Sequence, residues 1–261
     1  MRVLKTPSRA PRIRVHSWRM VLPRLVSGPS VQYLESAVKS LFVPSYQIFL
    51  KDSSSELRTR YALNALFMFV VTALSIILFS LGSESVSSDV LAGMLWVIIF
   101  FSSMSGLSRT FVAEEERGTV QTLQLISRPS AVYVGKLTFN FALTLSLNVV
   151  IALLYLLLVN GFAVQTPSIF WATLVLGSCA IASSSTIIAA IIAKAHTRGT
   201  LYPVLSFPIM LPMLITVIKA TQLSMEGAFF SEALGEFQIL ISYTVVLVAV
   251  SAVLFDFVWR D

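Results

Sequence analysis

The longest run of consecutive charges in this chain is Glu114-Glu115-Glu116-Arg117, followed at once by Gly118. Carboxylates in the first turn of a helix are held by the positive end of its macrodipole, where they can orient a short helix and bond to a partner surface. Catalysis by the chain's own groups has little to work with. The only histidines are His16 and His196, and the one cysteine, Cys179, lies within an apolar run, so the sequence offers neither a metal-ligand cluster nor a disulfide framework. No phosphate-binding GxxxxGK[ST] loop occurs either: Gly135-Lys136 is followed by Leu137, and Ser130 stands where the first glycine is required. The chain is expected not to be an enzyme, and any energy it uses must come from another subunit.

Local rules shape the elements around that run. Val120 and Leu123 lie three apart on one helical face, with Leu125 or Ile126 as the next apolar anchor, and Gly118 permits close backbone approach at the bend. Ser127-Arg128-Pro129 is expected to stop this helix, and Ser130 to cap a second one that enters the membrane beyond Gly135 and Lys136. Read alone, the segment is either a solvated charged loop or a short docking helix whose apolar ridge fills a groove on a partner.

Composition fixes the surroundings. Apolar residues make up 56% of the chain and charged ones 12%, with a mean hydropathy of +0.82. Soluble domains run near ~45–50% apolar and ~25% charged residues, so this is an all-α integral membrane protein. Six apolar runs approach the roughly 20 residues that ~30 Å of hydrocarbon demands. They are Tyr61 to Leu81, Val90 to Ser108, Leu137 to Val159, Ile169 to Ala193, Leu201 to Ile218 and Gln238 to Val258, within a membrane domain of residues 61–261 whose polar coupling segment is 109–136. The far side then shows short loops around 82–89 and 160–168 and a longer connection over 220–237.

Orientation follows from the lysines and arginines. One side collects the amino-terminal arm, Arg109, Arg117, Arg128, Lys136, Lys194, Arg198 and Arg260; the other has only Lys219. Both termini are therefore expected in the cytoplasm, or in the matrix if the protein is mitochondrial. The formal charge of +6 is spread along this boundary, which points away from nucleic acid and towards membrane lipid. No Lys, Arg, Asp, Glu or His lies in the middle of a span, and Lys219 and Asp256 sit near span ends, which disfavours proton-driven transport through side-chain carboxylates or histidines.

Polar residues within the spans leave two readings open. Asn64, Asn140, Asn148, Ser102, Ser103, Ser105 and the run Ser183 to Thr186 either line a path or bridge neighbouring helices. Pro203, Pro208 and Pro212 imply kinks or unwound turns in the fifth span, serving as a gate hinge or a fixed bend.

Before the spans come two segments of different kind. Residues 1–40 are basic and interrupted by Pro7, Pro11, Pro23 and Pro29, compatible with a transit peptide, a disordered arm held at anionic lipid, or an early start codon. Over residues 41–60, Tyr46, Phe49, Leu50 and Leu57 form an apolar stripe with Lys51, Asp52, Glu56 and Arg58 on other faces. That pattern predicts an amphipathic helix in the membrane interface.

The order of these features resembles a known family. The acidic start, Arg-Gly-Thr, proline and Gly-Lys of residues 114–136 are similar to the coupling segment of ABC-2 type permeases. KDSSSELRTRYALNALFMF, GMLWVIIFFSSMSGLSRTF and YPVLSFPIMLP resemble the first, second and fifth spans of the haem exporter protein B family, over residues 41 to the carboxyl end. The resemblance implies the non-catalytic permease subunit of the cytochrome c maturation ABC transporter, in the bacterial inner membrane or alternatively the mitochondrial one. It implies a separate ATPase subunit (CcmA-like), a haem-handling membrane protein (CcmC-like), a small membrane subunit (CcmD-like) and two permease copies. ATP would be bound by the first and haem handled by the second, with no cofactor bound directly by this chain. Glu114 to Gly118, Val120, Leu123, Leu125 and Ile126 would meet the ATPase. The coupling segment alone equally permits a permease for a lipid, polysaccharide or drug, and the lack of charge within the spans supports a third reading, a scaffold without transport.

Overall fold

The computed structural model describes residues 29–58, 60–82, 86–107, 118, 123, 125, 127–193 and 198–260. Among these residues the regular elements are helices throughout: α1 (Pro29–Arg58), α2 (Arg60–Leu81), α3 (Ser88–Leu107), α4 (Pro129–Leu158), α5 (Pro167–Ala193), α6 (Arg198–Glu226) and α7 (Leu234–Arg260). Each helix from α2 to α7 contains a stretch long and apolar enough to cross a bilayer, giving the expected six, with α1 ahead of them. In hydrocarbon every backbone N–H and C=O must be paired within the protein, so apolar runs of this length close into helices.

Helix α5 is the central post. It packs against α3, α4, α6 and α7, and 78% of its apolar window is buried, against 17% for α2 and for α7. Small residues make this possible: Gly177, Ser178, Ala180, Ala182, Ser183 and Ser184 let neighbouring backbones approach. At Gly177 the space is already taken, because a methyl group there would overlap the Trp96 ring and crowd Val217. Trp96 is buried and its Nε1 donates to Thr221 Oγ1 at 2.8 Å, tying α3 to α6 across α5. Gly177→Ala should therefore cost about 1–3 kcal/mol through overpacking. A lower unfolding temperature in detergent checks this, and unchanged melting would show that the indole relocates freely.

Several boundaries differ from the sequence reading. The turn through Leu123 and Leu125 does stop at Ser127 and Arg128, as expected, but Pro129 also opens α4 at its first position, where its missing N–H is one the helix would leave unpaired anyway. Arg128 occupies the cap without a side-chain bond, so Ser130 does not serve as one, and the third membrane helix starts well before Leu137. The connection expected over 220–237 shrinks to 227–233, because α6 runs to Glu226 and α7 starts at Leu234. Helix α1 begins at Pro29, upstream of the expected Leu41. Helix α6 keeps its helical backbone through Pro203, Pro208 and Pro212 with no unwound turn. Tyr243 of α7 donates to the Ile209 carbonyl between two of these prolines at 2.8 Å.

Candidate functional site

At about 1.5 Å per residue, the 30 residues of α4 extend ~45 Å, well beyond a hydrocarbon core of ~30 Å. Its excess length lies at the amino-terminal end. Ser103 of α3 meets Asn148 of α4 at 3.4 Å, and α3 ends one turn beyond Ser103, at Leu107. Since α3 and α4 run in opposite directions, Thr144 is level with that end, and the α4 residues before it form a stem projecting past α3.

The part of α1 from Val43 onward clasps this stem. Ser45 Oγ donates to the Ala131 carbonyl at 2.9 Å, and Lys136 Nζ meets Asp52 Oδ2 at 2.9 Å. Between them, Gly135 allows contact with α1: a methyl group on it would lie 2.8 Å from the Ser45 carbonyl oxygen and 2.9 Å from Ile48 Cβ. The first of these is backbone and cannot swing aside. Gly135→Ala should push α1 off the stem, seen as faster proteolytic cutting in α1 with the rest of the bundle protected; cutting at the native rate would rule the clasp out.

Lys136 is 1% exposed, and Asp52 is nearly as buried. A charge so placed is tolerated only when paired, and Asp52 has a second lysine, the half-exposed Lys51, at 3.5 Å. Ser45, Ile48 and Asp52 thus form the buried face of α1. Hydropathy drew attention to a different face. Tyr46, 62% exposed, and Leu50 point away from the bundle, and Phe49 stacks on Tyr46 at 6.5 Å. Leu57 lies in α1 with its side chain outside the described residues. The sequence reading missed Ser45 and missed Asp52 as partner of Lys136, since a polar residue on an amphipathic helix gives no sign that its face is covered.

The polar connection feeds straight into the stem. Gly118 is exposed in a turn with φ of 65°, the left-handed region that glycine enters without penalty. Leu123 and Leu125 are helical, and the Ser127 N–H donates to the Leu123 carbonyl at 3.0 Å, one helical turn immediately before Arg128 and Pro129. The two leucines face opposite ways: Leu123 packs against the chain's own core, whereas Leu125 is 88% exposed. Glu114, Glu115, Glu116, Arg117, Val120 and Ile126 lie outside the described residues.

Within the bundle, several of the span polar groups link helices, whereas Ser183 bonds the Cys179 carbonyl of its own helix and the hydroxyls of Ser102 and Ser185 have no bonding partner among the described residues. Asn140 Nδ2 donates to Thr186 Oγ1 and Asn148 Nδ2 to Ser178 Oγ, both at 2.9 Å, joining α4 to α5. Ser184 Oγ lies 3.1 Å from the Tyr243 hydroxyl, joining α5 to α7. These side chains are buried, in keeping with the bridging reading; Asn64 and Ser105 are exposed. Pro208 and Pro212 face outward, and the Pro203 side chain is outside the described residues.

The opposite end is stapled. The N–H groups of Gln165 and Thr166 both donate to the Ser224 carbonyl at 3.0 Å, and Ser88 Oγ donates to Glu226 Oε1 at 3.0 Å. Lys219 pairs with Glu236 at 2.9 Å, linking α6 to α7. One end of the bundle is thus tied across α3, α6 and α7, while the other bears the stem, the clasp and the polar connection.

Six membrane-length helices, with a preceding helix clasped to a projecting stem, define the class: a polytopic membrane protein. A search of curated proteins finds no match to the chain. The family model described as CcmB protein matches residues 44–257, and the chain belongs to that family, the haem exporter protein B family. It is accordingly a multi-pass membrane protein and a permease subunit of a haem-exporting ABC transporter, working in a complex with other subunits. The matched region starts within α1 and so includes the clasp.

Proposed function

We propose that this chain couples ATP hydrolysis by a separate CcmA-like ATPase to haem delivery, or to release of a haem-loaded chaperone, during cytochrome c maturation. The observation that supports this most is the exposed helical turn at Leu123 to Ser127 that leads into the stem of α4, to which α1 is clasped by Ser45, Gly135 and the Asp52–Lys136 pair. A push on the exposed Leu125 turn moves the stem and α1 together, because a buried ion pair and a backbone contact transmit force without slack. The stapled far end supplies the opposing pivot. Glu114 to Arg117 orient the docking helix at the ATPase surface, and haem is held by a CcmC-like partner assisted by a small CcmD-like subunit. Two copies of this chain meet two ATPase subunits, one connection to each. Pro203, Pro208 and Pro212 place a bend in α6 where the bundle can flex. Residues 1–40 form a basic arm, residues 41–60 lie in the membrane interface, and 61–261 form the permease domain.

The membrane is the bacterial inner membrane, with both termini and the connection on the cytoplasmic side, as the lysine and arginine bias supports. A reporter fused after Asp261 should be active only in the cytoplasm, and activity in the exoplasmic compartment would overturn this topology. The coupling role is tested by reconstituting the chain with its ATPase and CcmC-like partner. Stimulated ATP turnover that requires this chain and rises with the haem-loaded chaperone is expected. Turnover indifferent to this chain would favour a scaffold, and stimulation by an unrelated lipid or polysaccharide a different cargo.

A further inference from the structure

Beside the stem, between α2, α3 and α4, lies a half-open cavity of about 340 Å³ lined by Asn64, Val70, Ser103, Gly106, Thr144 and Leu147 among others. Its wall is overwhelmingly apolar, yet it includes Thr144, which is 1% exposed and whose Oγ1 finds no hydrogen-bond partner among the described residues. Hydroxyls in membrane helices ordinarily settle this need by bonding the carbonyl one turn back. Thr138, Ser146, Thr173 and Thr186 in this chain all do so, at 2.6–2.8 Å. Thr144 does not, and it lines the cavity. A buried hydroxyl left unpaired in apolar surroundings is unfavourable, so the site asks for a ligand atom that accepts a hydrogen bond.

The shape restricts what that ligand is. Taking about 30 Å³ for a water-sized group, 340 Å³ holds on the order of ten methylenes, whereas a helix with side chains is ~10 Å across and does not fit. Thr144 is level with Leu107, the last described residue of α3, at the end of the cavity nearest the stem. Leu147 and Val150, also lining the cavity, continue inwards along α4. An apolar slot running inwards from the Thr144 hydroxyl, with the Asn64 amide also on its wall, has the layout of one acyl chain below its ester carbonyl. We propose that this cavity is a specific site for one glycerophospholipid, whose acyl chain fills the slot and whose ester carbonyl accepts from Thr144 Oγ. Such a lipid wedges α2 against α3 and α4, where the helices themselves meet sparsely: only 17% of the α2 apolar window is buried.

The test uses the assembled transporter in native membranes and a phosphatidylethanolamine carrying a photoreactive diazirine in its acyl chain. Labelling is expected to concentrate on the α2 and α4 residues of the slot. Ser146→Trp, which fills the slot from its exposed rim, should abolish that labelling. Thr144→Val should reduce it about fivefold, the worth of one hydrogen bond, while Thr144→Ser retains it. Unfolding temperatures of the variants identify any that fail to fold, and labelling on the outer face of α7 serves as an internal reference that none should change. Labelling spread evenly over α2 and α7 would mean ordinary annular lipid and overturn the proposal. Equal labelling of wild type and Ser146→Trp would do so too, as would cross-linking of the slot to another protein subunit.

Discussion

Leu125→Asp should release the ATPase from the membrane complex while leaving the permease folded and inserted. The side chain is 88% exposed on the turn that leads into the stem, so a carboxylate there disturbs no internal packing. An apolar anchor buried at an interface is worth more than about 2 kcal/mol, which is roughly 30-fold in affinity. A charge in the same groove adds its own desolvation cost. Glu115→Gln, by contrast, alters a rim carboxylate and should leave affinity nearly unchanged. Leu123→Asp separates two explanations: because Leu123 packs on the chain's own core, that variant should lower the yield of folded permease as well as ATPase binding. Pull-down of the ATPase by folded Leu125→Asp at wild-type level, with normal cytochrome c assembly, would leave the connection as no more than a solvated loop.

Lys136→Met should destabilise the chain by about 3–5 kcal/mol, since it strands the Asp52 carboxylate in a buried site with Lys51 as its remaining described cation. Asp52→Asn should be comparably damaging, because Lys136 is the more buried of the two. Removing both charges together, as Asp52→Asn with Lys136→Met, should recover most of the loss, the signature of a pair whose members need each other more than the fold needs the pair. Thermal unfolding of the two single variants and the double variant closes this cycle. Additive losses would mean that the two side chains act separately. If the pair transmits force, the double variant should also fold yet stimulate ATP turnover weakly.

These predictions rest on features legible to different degrees in the sequence. The six membrane helices were, because each apolar run exceeds what any soluble packing requires and the bilayer leaves it one backbone conformation. The polar connection is expected outside the hydrocarbon for the opposite reason, the cost of burying charges there, and Glu114 to Arg117 themselves lie outside the described residues. Gly118 takes a φ of 65°, in the left-handed region that glycine enters without penalty. Helix ends were less legible. Pro129 reads in the sequence only as the stop of the preceding turn, which it is, and not as the start of α4, which it also is, while α6 and α7 took up residues whose modest polarity suggested a loop.

The contacts that make the structure a mechanical unit were set by tertiary structure alone. Nothing in KDSSSEL distinguishes Asp52 from Glu56 as the partner of Lys136, and nothing in the connection says that Leu123 turns inward and Leu125 outward. Gly177 looks like any small residue of a membrane helix until Trp96 is seen lying over it. The physical reason is one of range. Burial in a bilayer is a one-dimensional property of a segment, readable from the segment itself, whereas a buried ion pair, an aromatic ring over a glycine or an unpaired threonine hydroxyl depends on which distant side chain the packing brings within 3–4 Å, and that is decided by the shape of the whole bundle.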